Sequence, residues 1–186
     1  MDRVYTGDLE ADGFLETATK VWCAVFKNLN TGEIVKFHIG DRHDNYMDAM
    51  FLWLDGNVDV LIMHNGVGYD WPLLRRLYGY EFKGRKVDSL LISRLQRPDR
   101  KSPPNCPNKA APHSVEAWGY RVGKRKTDHN DWSQFSAEML HRCEEDVEIQ
   151  HEMFKALMAE GHGQKWRNAH MMTLKLFERL QLSEEY

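Results

Sequence analysis

A short apolar run, Val58 to Met63 (VDVLIM), constrains this chain more than any other segment. It has the length of one strand, and its weak alternation suits a strand buried on both faces. Such a strand needs cover on both sides of its sheet, which points to a layered α/β protein. The flanking segments provide the layers. Residues 3–9 (RVYTGDL) and 18–27 (ATKVWCAVFK) read as strands, the second with Val21, Cys23 and Val25 on one face. Asn28 to Gly32 is a turn signal and 33–39 (EIVKFHI) the returning strand, an antiparallel start of three strands. Residues 44–54 have helical spacing, with Asp44 as a cap and an end before Gly56. Tyr69 to Tyr78 reads as a helix with Asp70 near its start and Pro72 in the first turn, where proline is tolerated. Further helices are expected over 88–95 and near 113–119, 136–160 and 165–182. The order βββ-α-β-α followed by helices describes an α/β fold with a mixed central sheet flanked by helices.

The 186 residues fit a single domain, 1–186, with mass enough for a substantial core. Residues 97–112 hold five of the six prolines and four basic residues, so they form a loop that interrupts the domain. The net charge of −3 argues against a uniformly basic nucleic-acid binder, but a local basic patch beside a cluster of acids is compatible with it. Cys23, Cys106 and Cys143 are odd in number with no CxxC pair, which fits a reducing compartment and offers little for zinc. No signal region opens the chain and no run reaches the roughly 18 apolar residues of a membrane span. The expectation is a cytoplasmic protein with no membrane partner.

Three acidic motifs stand apart. Asp8-Leu9-Glu10 lies on the first strand, where residues i and i+2 share a face. Two carboxylates side by side on a half-buried strand repel one another unless a cation compensates them, whereas on an exposed strand end they would simply be solvated. His64-Asn65-Gly66-Val67-Gly68-Tyr69-Asp70 follows the apolar run directly and delivers Asp70 to a helix start at the sheet's carboxyl edge. Ligand sites concentrate at that edge, although an Asp there also serves as an ordinary helix cap. His141-Arg142-Cys143-Glu144-Glu145-Asp146-Val147 sits inside a long helical pattern and by itself is a charged helix. Taken together, four carboxylates from separate elements are a donor set for hard divalent cations. Two such ions about 3.5–4 Å apart meet the needs of phosphodiester hydrolysis, and a histidine nearby can act as base.

The trio D-x-E, N-x-x-x-Y-D and a helical D resembles the DEDD exonucleases, in particular the proofreading domains of bacteriophage family A DNA polymerases. More specific is His113-Ser114-Val115-Glu116-Ala117-Trp118-Gly119-Tyr120-Arg121-Val122-Gly123, which is similar to the H-x-L-E-A-W-G-Y-R-L-G stretch of those polymerases. Asp88-Ser89-Leu90 and Ser93-Arg94-Leu95 match the segment after their second motif, and the likeness runs through residues 3–182 in the family's order. It implies a ribonuclease-H-like fold and metal-dependent 3′→5′ removal of nucleotides from DNA, with proofreading as the role. Asp8, Glu10, Asp70 and Asp146 would hold two Mg²⁺ or Mn²⁺ ions, and Asn65 would order its turn or touch the substrate backbone. The cytoplasm would then be the host's if a phage encodes the chain.

One departure concerns the base. Phage domains of this type carry a tyrosine four residues before the last aspartate, and here that position is Arg142. Another branch places a histidine five residues before it, which His141 matches, so His141 is the expected general base. On a continuous helix that spacing lies about 140° from the face of Asp146, so His141 reaches the metals only if the helix starts or distorts near it. Lys124, Arg125 and Lys126, with Arg94, Arg97, Arg100 and Lys101, are candidates for phosphate contacts. Phe14, Tyr69 and Trp71 are candidates for stacking against bases, while Trp22, Trp53 and Trp118 belong in the core. The final helix, 165–182, has more apolar content than one packing face needs, which suits either the core or docking to a polymerase subunit. The expected partner is a DNA 3′ end, single-stranded or frayed. An RNA-trimming activity, and a non-catalytic subunit that grips a 3′ end or a polymerase, are the alternatives.

Overall fold

The computed structural model describes residues 2–41 and 45–160. The expected helix 165–182 and its docking role lie outside them. Five strands form one sheet in the order β3-β2-β1-β4-β5: β1 is Val4–Ala11, β2 Val21–Asn28, β3 Ile34–His38, β4 Val60–Met63 and β5 Arg85–Asp88. β1 pairs antiparallel with β2 and β2 with β3, while β1–β4 and β4–β5 are parallel. The helices are α1 (Tyr46–Asn57), α2 (Asp70–Tyr78), α3 (Ser89–Gln96), α4 (Val115–Val122) and α5 (Ala137–Glu160).

β4 is buried at all four positions, as its apolar run requires. Tyr5, Leu9 and Ala11 point to one face of the sheet and pack with Met50 and Leu54 of α1 and Leu73 and Leu74 of α2. On the other face Val60, Ile62 and Val87 meet Trp118 of α4 and Ile149, Met153 and Leu157 of α5. Beside them, Trp22, Cys23 and Val25 of β2 receive Met139, Cys143 and Val147 of α5. Because side chains alternate along β1, Asp8 and Glu10 fall on the face that α5 covers.

Two details differ from the sequence reading. α1 continues through Gly56 to Asn57, and its cap is Asn45, whose side chain accepts the Asp48 N–H at 3.2 Å. β5 had no counterpart in the sequence reading, because four residues that begin Arg85-Lys86 carry no apolar pattern and form a strand only by adding to β4. It brings Asp88 to the carboxyl edge of the sheet beside Met63. Trp22 and Trp118 are buried and Trp53 packs against the core, as expected.

Candidate active site

β1 pairs with β4 only through Thr6, then runs on alone on that side. The space left beyond Met63 is filled by the turn His64–Tyr69, so Asp8 and Glu10 on β1 flank the start of α2. The turn needs its particular residues. Asn65 adopts φ +66°, a left-handed conformation that asparagine tolerates better than most side chains. Gly66 passes so close to Met63 and the Trp71 ring that a Cβ there would meet Met63 Cβ at 2.8 Å. Asp88, 1% exposed, ties the turn down by accepting the backbone N–H groups of Asn65 (3.2 Å) and Val67 (3.1 Å). The same carboxylate caps α3 through Leu90 N–H at 2.8 Å. Asn65 sits inside this turn, where its backbone carbonyl accepts the Gly68 and Tyr69 N–H groups at 3.0 Å. Asp70 becomes the first residue of α2 and is buried, while the residue before it, Tyr69, makes no side-chain cap.

α5 closes the site from the opposite side. Cys143, Asp146 and Gln150 recur at three- and four-residue intervals and form one stripe facing β1, with Arg142 a turn before Asp146. The Gln150 amide donates to Asp8 Oδ1 at 2.9 Å, and the Cys143 thiol sits 3.5 Å from the Asp8 carbonyl oxygen. Neither residue was picked out from the sequence. Spacing from Asp146 is the one signal that could have found them.

The four expected carboxylates act on one another. Burial pushes the Asp8 carboxyl well above its ordinary range, and the negative charges of Glu10, Asp146 and Asp70 push it further. Glu10 rises to about 8 for the same reasons, burial first and then Asp146, despite the opposing pull of Arg142 and Lys126. Asp70 rises to about 7, mainly through burial, with Asp88 adding to it. A buried set of like charges held this close is a site short of positive charge. Ligand atoms of Asp8, Glu10 and Cys143 lie within 4.8 Å of one another. Burial, the neighbouring Cys23 and the nearby carboxylates raise the Cys143 thiol well above its usual value. The four carboxylates make an oxygen-rich donor set of the kind that suits Mg²⁺ or Mn²⁺.

His141 is not brought to this cluster. α5 begins at Ala137 and is continuous through Asp146, so His141 turns outward. Its side chain is 62% exposed and its Nε2 lies 3.4 Å from Glu145. Arg142, in the position where the phage domains carry tyrosine, acts on Glu10 and donates to the Thr127 carbonyl.

A groove of about 1250 Å³, whose walls include Asn65, Arg94, Lys124, Arg125, Lys126 and Arg142, adjoins the cluster through Lys126, the ion-pair partner of Asp146. Lys124 is paired with Glu148 at 3.0 Å, and the Arg125 guanidinium lies 3.9 Å from the centre of the Tyr120 ring. Arg100, by contrast, is spent inside the fold: it chelates Glu160 at 2.9 and 2.6 Å and lies over Trp118. The stacking candidates separate as well. Phe14 is 81% exposed, whereas Trp71 is buried beneath the Gly66 turn and is corrected to a core residue. Tyr69 is half-buried, with its hydroxyl donating to the Gly13 carbonyl at 2.6 Å.

No family model matches the chain. It is 28% identical over 191 residues to the DNA-directed DNA polymerase of Escherichia phage T7, and equally to that of Enterobacteria phage T3. Each match covers 83% of this chain but 26% of the polymerase, so the chain spans about a quarter of the length of these relatives. Among solved structures, Brucella melitensis NrnC with bound Mg²⁺ superimposes with a TM-score of 0.65 at 16% identity, covering 98% of this chain and 87% of that one. NrnC bound to pGG gives the same score. The Escherichia coli ExoI–ssDNA complex gives 0.55 at 13% identity, over 83% of this chain and 40% of ExoI. Among the described residues, no helix is long and apolar enough to cross a membrane.

Proposed function

We propose, from the premise that the chain is a relative of the phage T7 and T3 DNA polymerases with a ribonuclease-H-like, DEDD-type exonuclease fold, that it removes nucleotides from DNA 3′ ends with the help of two divalent cations. The observation that carries this reading is the convergence of Asp8, Glu10, Asp70 and Asp146 from three elements into one charge-deficient cluster, with the basic side chains Lys126 and Arg142 acting on it. Proofreading for a DNA polymerase, joined to this chain or separate from it, is the role the T7 and T3 likeness supports.

The four carboxylates would hold Mg²⁺ or Mn²⁺. When bound, such ions supply an activated water and stabilise charge on phosphorus and on the leaving 3′ oxygen. The protein's part is placement. Gln150 fixes the rotamer of Asp8, and Asp88 fixes the turn that presents Asp70. Phe14, exposed and four residues after Glu10 in the chain, offers a face for the terminal base. Lys124 and Arg125 face the groove where phosphates of the strand would run. His141 can serve as base only where the first turns of α5 unwind, since in the continuous helix it is paired with Glu145.

The test is degradation of a 5′-labelled single-stranded DNA with Mg²⁺ or Mn²⁺, beside Asp146→Ala and an EDTA control. The expected result is a ladder shrinking from the 3′ end, lost in both controls. Intact strand under either metal would sink the proposal. RNA 3′-end trimming is a second reading, supported by the likeness to NrnC, one structure of which holds pGG. The same assay on RNA of identical sequence separates the two, since this second reading requires the RNA strand to be consumed faster.

A further inference from the structure

A four-residue segment after α4 is fastened across the metal-facing turn of α5. Gly123, at φ +73°, ends α4 and releases the chain toward the groove. Lys124 then pairs with Glu148 at 3.0 Å, and Thr127 binds Glu145 Oε2 through both its N–H and its hydroxyl at 2.8 Å. The Arg142 guanidinium takes the Thr127 carbonyl. Between these anchors Lys126 reaches inward. Its ammonium lies 2.9 Å from Asp146 Oδ1 and 3.1 Å from Oδ2, with the two side chains 20% and 10% exposed. Its charge also acts on Asp8 and Glu10.

An ammonium hydrogen-bonded to Asp146 Oδ2 and within ion-pair distance of Oδ1 occupies the place where a cation would bind that carboxylate. Asp8 and Glu10 both feel the Asp146 charge, and the same ammonium offsets it for each. Once a divalent ion is bound, the same ammonium is repelled at short range. Lys126 is also a wall residue of the groove, so a displaced side chain has phosphates within its path. We infer that Lys126 is a built-in counter-cation: it holds Asp146 in the metal-free protein, yields it to a divalent ion, and transfers its charge to a phosphate of the bound strand. This rests on the exonuclease reading and adds a positioning residue to it.

The test uses the full chain without nucleic acid first. Mn²⁺ binding is measured by calorimetry for wild type, Lys126→Gln, Lys126→Arg and Lys124→Gln, the last removing a lysine from Glu148 rather than from the carboxylate cluster. Loss of a competing cation should tighten Mn²⁺ binding about tenfold in Lys126→Gln alone, by the reciprocity that links any two competing ligands. Thermal unfolding should show Lys126→Gln below wild type in EDTA, with the gap closing in saturating Mn²⁺. Binding of an oligothymidylate in Ca²⁺ should weaken in Lys126→Gln, with a shallower salt dependence. Unchanged or weaker Mn²⁺ affinity, or the same melting deficit with and without metal, overturns the counter-cation. An unaltered oligothymidylate affinity overturns the transfer to phosphate. If wild type neither binds Mn²⁺ nor shortens DNA, the exonuclease reading falls with it. If wild type does both and Lys126→Gln binds Mn²⁺ no better, only the present inference falls.

Discussion

Two buried polar clusters lie within a few residues of each other in this molecule, and they are built on opposite principles. Under α3 and α4, His64 Nδ1 meets Ser89 Oγ at 3.0 Å, and Ser89 in turn reaches the Met63 carbonyl at 3.3 Å. Ser93 Oγ is shared by His113 Nδ1 at 2.9 Å and Trp118 Nε1 at 3.1 Å. Donors and acceptors are matched there, and burial draws His64 down to about 4, so the ring is neutral. Around Asp8, acceptors crowd acceptors and every charge but those of Lys126 and Arg142 has the same sign. The matched cluster gains stability from its contacts, whereas the mismatched one keeps an energetic cost that a bound cation would remove. A buried polar group marks function only where its partners fail to satisfy it.

The widest separation between the clusters should come from neutralising one member of the crowded set. Asp8→Asn keeps an oxygen for the Gln150 amide but removes one charge from the metal donors. Exonuclease rate should fall at least about 10³-fold, or about 4 kcal/mol of transition-state stabilisation. Its melting temperature in EDTA at pH 8 should match or exceed that of wild type, because a repelled charge has gone. A lower melting temperature would mean that the carboxylates hold the fold together, and the comparison would break.

The mirror-image change is Ser93→Ala. It strands the Trp118 indole N–H and a His113 ring nitrogen in a buried setting, which costs about 1–3 kcal/mol. For a chain of this size that lowers the melting temperature by about 2–4 °C per kcal/mol, read by calorimetry. The rate at 25 °C should stay within about twofold, since nothing in this cluster touches the carboxylates. A tenfold loss of activity would show that the two clusters are coupled.

What could be read in advance follows the same division. The α/β class and the mixed sheet were legible from local pattern, whereas the four carboxylates were singled out only in combination and through the family resemblance, since each motif alone also reads as a solvated strand end, a helix cap or a charged helix. Gln150, Cys143 and Lys126 were legible in identity but not in role, because their place depends on which stripe of α5 lies over β1 and on where a loop with no periodicity crosses it. Trp71 looked available for stacking because it adjoins Asp70. One residue along a helix turns a side chain by about 100°, and that rotation puts it under Gly66.

Acidity provides a finer way to compare the clusters, since they titrate with opposite sign. A carboxyl raised in the fold binds more protons folded than unfolded, so Glu10 at about 8 and Asp70 at about 7 lower stability as pH climbs from about 4 to about 8. His64, lowered to about 4, acts the other way and raises stability between about 4 and 6.5. Above pH 6.5 only the carboxylates of these groups still titrate. In EDTA the free energy of unfolding should therefore fall by about 1–2 kcal/mol between pH 6.5 and 8, as followed by urea titration. Glu10→Gln should flatten that slope, and saturating Mg²⁺ should reverse it by favouring the ionised acids. A slope that survives both would assign the titration to groups outside this cluster.

The smallest effect expected is at His141. Its expected role as base rests on matching the branch that places a histidine five residues before the last aspartate, yet α5 is helical from Ala137 onward and carries the imidazole away from Asp146 to a 3.4 Å contact with Glu145, with 62% of the side chain exposed. An exposed pair of this kind contributes at most a few tenths of a kcal/mol. If α5 keeps this form during the reaction, His141→Ala should change the rate by less than about threefold, or about 0.6 kcal/mol. The rise of rate with pH should be unaltered too, because it would come from the carboxylates. A loss of a hundredfold or more would require the two turns before Asp146 to unwind when metal and strand bind. Amide exchange then offers an independent reading, since residues 138–142 should lose protection on adding Mn²⁺ and DNA while residues 147–157 keep it. Unchanged protection together with a large rate loss would leave no route by which His141 reaches the reacting phosphate from this helix.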